Sequence, residues 1–187
     1  LATPNTLNAQ GHWLRYNPNS VEYVILAPSQ TIKRGDFLLM GTTSSYAYQF
    51  IAQAGASTLT TANVSQDILG VALQDITTTA GTDTTVMDAN NKCLAVLAPN
   101  FEIALRLYHA TSTSAIPKNV QVGTNVALQR WTEANTSAYY YVADMTTVSV
   151  TPGTSNLVMK GRCAESGPTD RYGLCWFQPA ITAAALQ

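Results

Sequence analysis

Short apolar runs, each ended by a turn signal, limit what this chain can fold into. Residues 21–27 (VEYVILA) alternate and are rich in β-branched side chains, and Pro28 closes them. Residues 68–76 (ILGVALQDI) form the strongest apolar run of the first half. Residues 101–108 (FEIALRLY) alternate strictly, with Phe101, Ile103, Leu105 and Leu107 on one face and Glu102, Ala104, Arg106 and Tyr108 on the other. A period of two marks a half-buried strand. Two segments share a design: Ile32-Lys33-Arg34-Gly35-Asp36-Phe37-Leu38 and Val120-Gln121-Val122-Gly123-Thr124-Asn125-Val126 each set a glycine turn ahead of an apolar strand. Further strands are expected at 46–53, 93–97, 139–143, 146–150 and 156–159. Cys163 and Cys175 flank a last hairpin, and the terminal ITAAALQ reads as a short helical turn. No segment carries an amphipathic helical stripe longer than two turns. About ten short strands at this spacing predict an all-β chain, a compact β-barrel or sandwich. We read residues 1–20 as an extended N-terminal arm, 21–110 as the β-barrel core, and 111–187 as a second β lobe or the completion of the same barrel.

Charge is scarce. Only 11% of the residues are charged, against about 25% in a typical soluble domain. Thr, Ala, Ser and Asn fill the gap, a surface that can be covered by another protein with few ions stranded. Net charge is −1 and Lys and Arg never cluster, which argues against nucleic-acid binding. No apolar run approaches the roughly 18 residues that span a bilayer, so no membrane partner is expected. The opening LATPNTLNAQ has neither the basic nor the apolar region of a signal peptide, and without a starting Met it reads as a processed or trimmed end.

Within the first 20 residues, Asn, Pro and Gln surround one aromatic cluster: His12, Trp13, Leu14, Arg15 and Tyr16. A disordered tail rarely carries Trp. An ordered polar arm must be tied down, either by a partner subunit or by the chain's own body. These five residues are the candidate partner-binding residues. Such an arm would be removable with the body left folded.

No catalytic constellation stands out. Arg34-Gly35-Asp36 matches a cell-adhesion tripeptide but reads as turn chemistry, glycine taking positive φ and Asp bracing the turn. The segment 83–91 gathers oxygen ligands, yet counted from Asp88 an EF-hand loop fails at Lys92, Cys93 and Pro99. His12 and His109 lack zinc spacing and lie beside no nucleophile elbow. Glu102, Glu133 and Asp144 could pair as acid and base for glycoside cleavage, although Glu102 is expected to face solvent. Tyr46, Tyr48 and Tyr139-Tyr140-Tyr141 fit core packing, a subunit contact or a sugar platform. Cys163 and Cys175 read as buried free thiols, with a cross-hairpin disulfide as the alternative. No enzyme activity, cofactor, metal or small-molecule substrate is expected.

The order of Ile32-Lys33-Arg34-Gly35-Asp36-Phe37-Leu38, then Ile68-Leu69-Gly70-Val71-Ala72-Leu73-Gln74-Asp75-Ile76, the Thr-rich loop 77–85 and Phe101-Glu102-Ile103 resembles the small head decoration, or cement, proteins of tailed bacteriophages. The resemblance covers roughly residues 28–108. It implies a β-rich barrel with an N-terminal arm, sitting as a homotrimer on the outside of the expanded capsid and bracing it against internal DNA pressure. It carries over no catalytic residue. The implied partner is the major capsid protein, and the implied location the virion's outer capsid surface after assembly in the host cytoplasm. Residues 109–187 depart from the shorter members as a second lobe, a knob or a fibre-like extension. Two other readings stand beside it: another virion subunit, a major coat or tail-tube protein, and a carbohydrate-binding β-sandwich using Trp13, Tyr46, Tyr48 or Tyr139 to Tyr141.

Overall fold

The computed structural model describes residues 5–7, 12–40, 47–49, 58–59, 68–79, 91–108, 122–132, 139–149, 156–163 and 173–180. Among them the chain is all-β. Fifteen strands alternate with turns, ten of them four residues or longer; a 3-10 turn spans Pro18–Ser20, and Asn91 also has 3-10 geometry. The strands are β1 (Asn5–Leu7), β2 (His12–Tyr16), β3 (Val21–Ile25), β4 (Thr31–Ile32), β5 (Phe37–Met40), β6 (Ala47–Gln49), β7 (Thr58–Leu59) and β8 (Ile68–Ala72). There follow β9 (Ile76–Thr77), β10 (Lys92–Leu97), β11 (Phe101–Tyr108), β12 (Asn125–Thr132), β13 (Tyr139–Ser149), β14 (Leu157–Arg162) and β15 (Leu174–Pro179). His109, Glu133, the segment 80–90 and the C-terminal ITAAALQ lie outside the described residues.

Five strands close a ring in the order β11-β13-β12-β14-β15, with β15 returning to β11. The β11–β13 pair is parallel and the other four are antiparallel. Closure removes the edges that a flat sheet would expose. The alternation read from 101–108 holds in the ring: Phe101, Ile103, Leu105 and Leu107 are all essentially buried. Cross-strand neighbours share that face, as Ile103 opposite Phe177, Leu105 opposite Cys175, and Leu107 opposite Ala143 show.

Strands β3, β5, β6, β8 and β10 form a separate open sheet in the order β3-β10-β8-β5-β6, beside a two-stranded β4–β9 pair, while β1, β2 and β7 join the sheet of the ring. The closed ring therefore runs from Phe101 to Pro179, whereas the sequence placed the barrel core in 21–110. The reason is that ring closure depends on which distant strands pair, and alternation within a strand does not encode its partner. One core serves both layers: Phe37, Leu39, Ile68, Val71 and Val96 of the open sheet pack with Leu105, Val126, Leu128, Tyr141 and Phe177 of the ring.

The two layers are pinned by one carboxylate. Gly35 takes φ 97° in the turn before β5, and Asp36 closes that turn by accepting the Lys33 N–H at 2.7 Å through Oδ2. Arg34-Gly35-Asp36 is thus a turn, as its chemistry predicts. The Asp36 side chain is fully buried. It also accepts the Tyr139 hydroxyl at 2.7 Å and the Tyr141 hydroxyl at 3.1 Å, both from β13. Phe37 meets Tyr141 edge-on at 5.0 Å, and the Arg130 guanidinium covers the Tyr139 ring at 3.8 Å. Burial, then the nearby Asp36 charge, holds the Tyr141 phenol well above its ordinary pKa. Gly123, in the segment built like the first glycine turn, likewise takes φ 86° ahead of β12.

The N-terminal arm is extended in conformation and lies along the barrel. β1 pairs with β2, and β2 pairs antiparallel with the first residues of β11. β11 is long enough to share one edge, β2 taking Phe101–Ile103 and β13 taking Arg106–Tyr108. Leu14 is fully buried in the main core. Of the two ways to tie the arm down, the described residues show the chain's own body. Leu14 fills part of the core and β2 covers the Phe101–Ile103 edge of β11, so removal of residues 1–20 is expected to cost the body stability.

Candidate functional site

Strand alternation divides the five candidate residues. Leu14 and Tyr16 turn to the core, Leu14 within it and Tyr16 packed against it. Trp13 and Arg15 turn outward, over the outer wall of the ring. His12 pairs with Leu7 through the backbone, and its side chain lies outside the described residues. The pentapeptide is therefore not one surface; two of its side chains are.

Those two meet residues from distant strands. The Arg15 guanidinium carbon stacks over the Trp176 ring of β15 at 3.7 Å. Trp13 and Leu174 pack on an outer cluster of Ala104, Cys163 and Trp176. Stacking of this kind contributes about 0.5–1 kcal/mol at an exposed site and about 2 when desolvated. Glu102 lies directly across from Arg15 in the β2–β11 ladder. Beside this wall is a cleft of about 800 Å³, lined by Asn17, Pro18, Pro99, Asn100, Glu102, Lys160 and Gln178. Its rim is fixed by the Asn17 N–H to the Asn100 carbonyl at 3.1 Å and by Gln178 Nε2 to the Pro99 carbonyl at 2.9 Å. Sequence reading missed Glu102 and Gln178 as parts of this surface, and Trp176 as the buried ring that Arg15 and Trp13 cover. Their outward phase on β11 and β15 is legible, but their nearness to Trp13 and Arg15 is not.

The remaining candidates fall elsewhere. Tyr139 and Tyr141 are buried and Tyr140 is 37% exposed, so the tyrosine run is chiefly core. The side chains of Tyr46 and Tyr48 lie outside the described residues. Asp144 is buried, its Oδ1 accepting the Thr146 N–H at 2.8 Å. It pairs with Tyr108 at the far end of β11, about 20 Å from Glu102 at the strand rise, too far for a glycosidase acid pair. Among the described residues no three His, Cys, Asp or Glu side chains converge as a metal site.

All three cysteines are buried and free. Cys175 faces the main core and Cys163 the outer cluster, so the hairpin holds its thiols on opposite sides. Burial first, then the neighbouring Cys163, pushes the Cys175 thiol up to about 12, with Arg162 opposing. Burial and Asp36 push Cys93 up to about 11, with a backbone hydrogen bond involving Gln74 opposing. Thiols so held are protonated at neutral pH and poor nucleophiles.

No protein-family model, curated protein or solved structure matches the chain.

Proposed function

We propose that this chain is a virion structural protein of the head-decoration kind, binding the outer surface of a tailed-phage shell and stabilising it. The observation that supports this most is the partly exposed pair Trp13 and Arg15, held over the buried Trp176 on the outer wall beside the 800 Å³ cleft. Trp and Arg are the side chains that most often dominate binding energy at protein interfaces. The scarcity of charge agrees, since covering Thr, Asn and Ala surface strands few ions. The physics is area removed from water at about 25 cal/mol per Å², reduced by ordering costs and multiplied across many copies on one shell. The partner on this reading is the major capsid protein.

The test uses expanded empty head shells lacking this protein. The wild-type chain should co-sediment with them and raise their resistance to heat. Trp13→Ala and Arg15→Ala, each on the outer wall, should weaken binding tenfold or more (about 1.4 kcal/mol) at a temperature where both variants are fully folded by circular dichroism, their melting lowered because both side chains cover the buried Trp176. Full decoration by the double variant would refute the assignment of this face. Failure of the wild-type chain to bind any shell would refute the function.

A further inference from the structure

We propose that β3 is a self-pairing edge, through which two copies of this chain join their open sheets about a two-fold axis. Among the described residues β3 is the terminal strand of the open sheet and pairs only with β10. The ladder shows which of its backbone groups are spoken for. Leu94 of β10 turns its carbonyl to Leu73, on the side of β8. Its neighbours Cys93 and Ala95 therefore turn toward β3, opposite Val24 and Glu22. Asn91 agrees, its carbonyl accepting the Leu26 N–H at 2.8 Å. Glu22, Val24 and Leu26 thus bond inward, and Val21, Tyr23 and Ile25 present their backbone groups outward. The Val21 N–H is already used, bonded to the Pro18 carbonyl of the 3-10 turn. What remains is the Val21 carbonyl and both groups of Tyr23 and Ile25, and among the described residues nothing pairs with them.

That set is complementary to itself. Two β3 strands laid antiparallel with Tyr23 opposite Tyr23 of the second copy exchange two Tyr23 hydrogen bonds. Each Ile25 N–H then meets the Val21 carbonyl of the other copy, giving four bonds and leaving the occupied Val21 N–H out of the ladder. Glu22 falls opposite Val24, so no like charges face one another. Tyr23 is 66% exposed and would gain an aromatic cross-strand partner. Three of the devices that blunt an edge are missing: β3 contains no Lys and no Pro, and its register with β10 is continuous, without a bulge; its one charge is the exposed Glu22. A self-complementary patch closes as a dimer, in contrast to the three-fold order implied by the resemblance. The inference is independent of the shell-binding proposal.

Sedimentation of the full chain at up to about 100 μM tests it. The expected result is a dimer mass. Amide exchange at Tyr23 and Ile25 should slow as concentration rises, while Glu22 and Val24 stay protected throughout. Tyr23→Pro removes only an outward N–H and is compatible with an edge position, so it should yield a folded monomer, whereas Tyr23→Phe should remain a dimer. Tyr23→Lys, should the proline variant not fold, sets two ammonium groups opposite and should weaken pairing tenfold or more. A wild-type monomer at the highest concentration overturns the proposal. So does a trimer or dimer whose mass survives both Tyr23→Pro and Tyr23→Lys, and so does protection of these amides only when a different protein is added.

Discussion

Replacing the carboxylate that joins the two layers gives the sharpest test of how this fold is held. Asp36 is fully buried, and its donors include the Lys33 N–H and the hydroxyls of Tyr139 and Tyr141. Hydrogen bonds to a charged acceptor contribute about 1.5–3 kcal/mol each, neutral ones about 1. In Asp36→Asn the amide retains one acceptor oxygen and turns the other into a donor. One bond must reverse, and the others lose their charge assistance. We expect a loss of about 3 kcal/mol. With a urea dependence of about 2 kcal/mol per molar, the unfolding midpoint should fall by about 1.5 M. Tyr139→Phe alone should cost about 1–2 kcal/mol. A double-mutant cycle with Asp36→Asn should return a coupling of about 1 kcal/mol or more. A midpoint shift below about 0.3 M, or additive single effects, would show that the layers are held by packing alone and refute the reasoning.

Three further outcomes follow from the geometry. Leu14→Ala should cost about 2–5 kcal/mol in urea unfolding, more than Trp13→Ala, because Leu14 is fully buried in the main core whereas Trp13 is only partly buried against a smaller cluster. Gly70→Ala should destabilise by about 1–3 kcal/mol or more, since an added Cβ would lie 2.4 Å from the Val96 carbonyl oxygen; a wild-type melting temperature would contradict the close strand approach. The buried thiols make alkaline conditions unfavourable. Cys93 and Cys175 titrate near 11 and 12 in the folded chain against 9.0 for an unperturbed thiol, so above pH 9 the unfolded chain releases protons that the folded one keeps. Their contribution to stability is complete below pH 9 and declines as pH rises toward 12. Unfolding midpoints at pH 8 and 10.5 should differ in that sense, and Cys93→Ala with Cys175→Ala should reduce the dependence, the raised Tyr141 phenol retaining a part of the same sign.

Much of the secondary structure is local and was legible. The alternation of 101–108, the positive-φ glycines at 35 and 123 and the β14–β15 hairpin all follow from side chains a few residues apart. The role of Asp36 was half legible: its turn is encoded by the adjacent Lys33 and Gly35, but its two tyrosine donors lie more than a hundred positions away. The candidate site divided the same way. Trp13 and Arg15 were recognisable as unusual in a polar segment, and the period of two already implied that Leu14 faces away from them. That Trp176 would lie beneath Arg15 was not recognisable, because β2, β11 and β15 come together through pairings that no local pattern specifies.

The amino-acid sequence alone determined that this chain would be strands and turns, and which side of each long strand would be apolar, because sterics and alternation act over neighbouring residues. The tertiary structure decided which strands close the ring, that the ring belongs to 101–179, and that the N-terminal segment completes the core. Those outcomes depend on matching hydrogen-bond ladders and filling one shared interior, which are properties of the assembled chain.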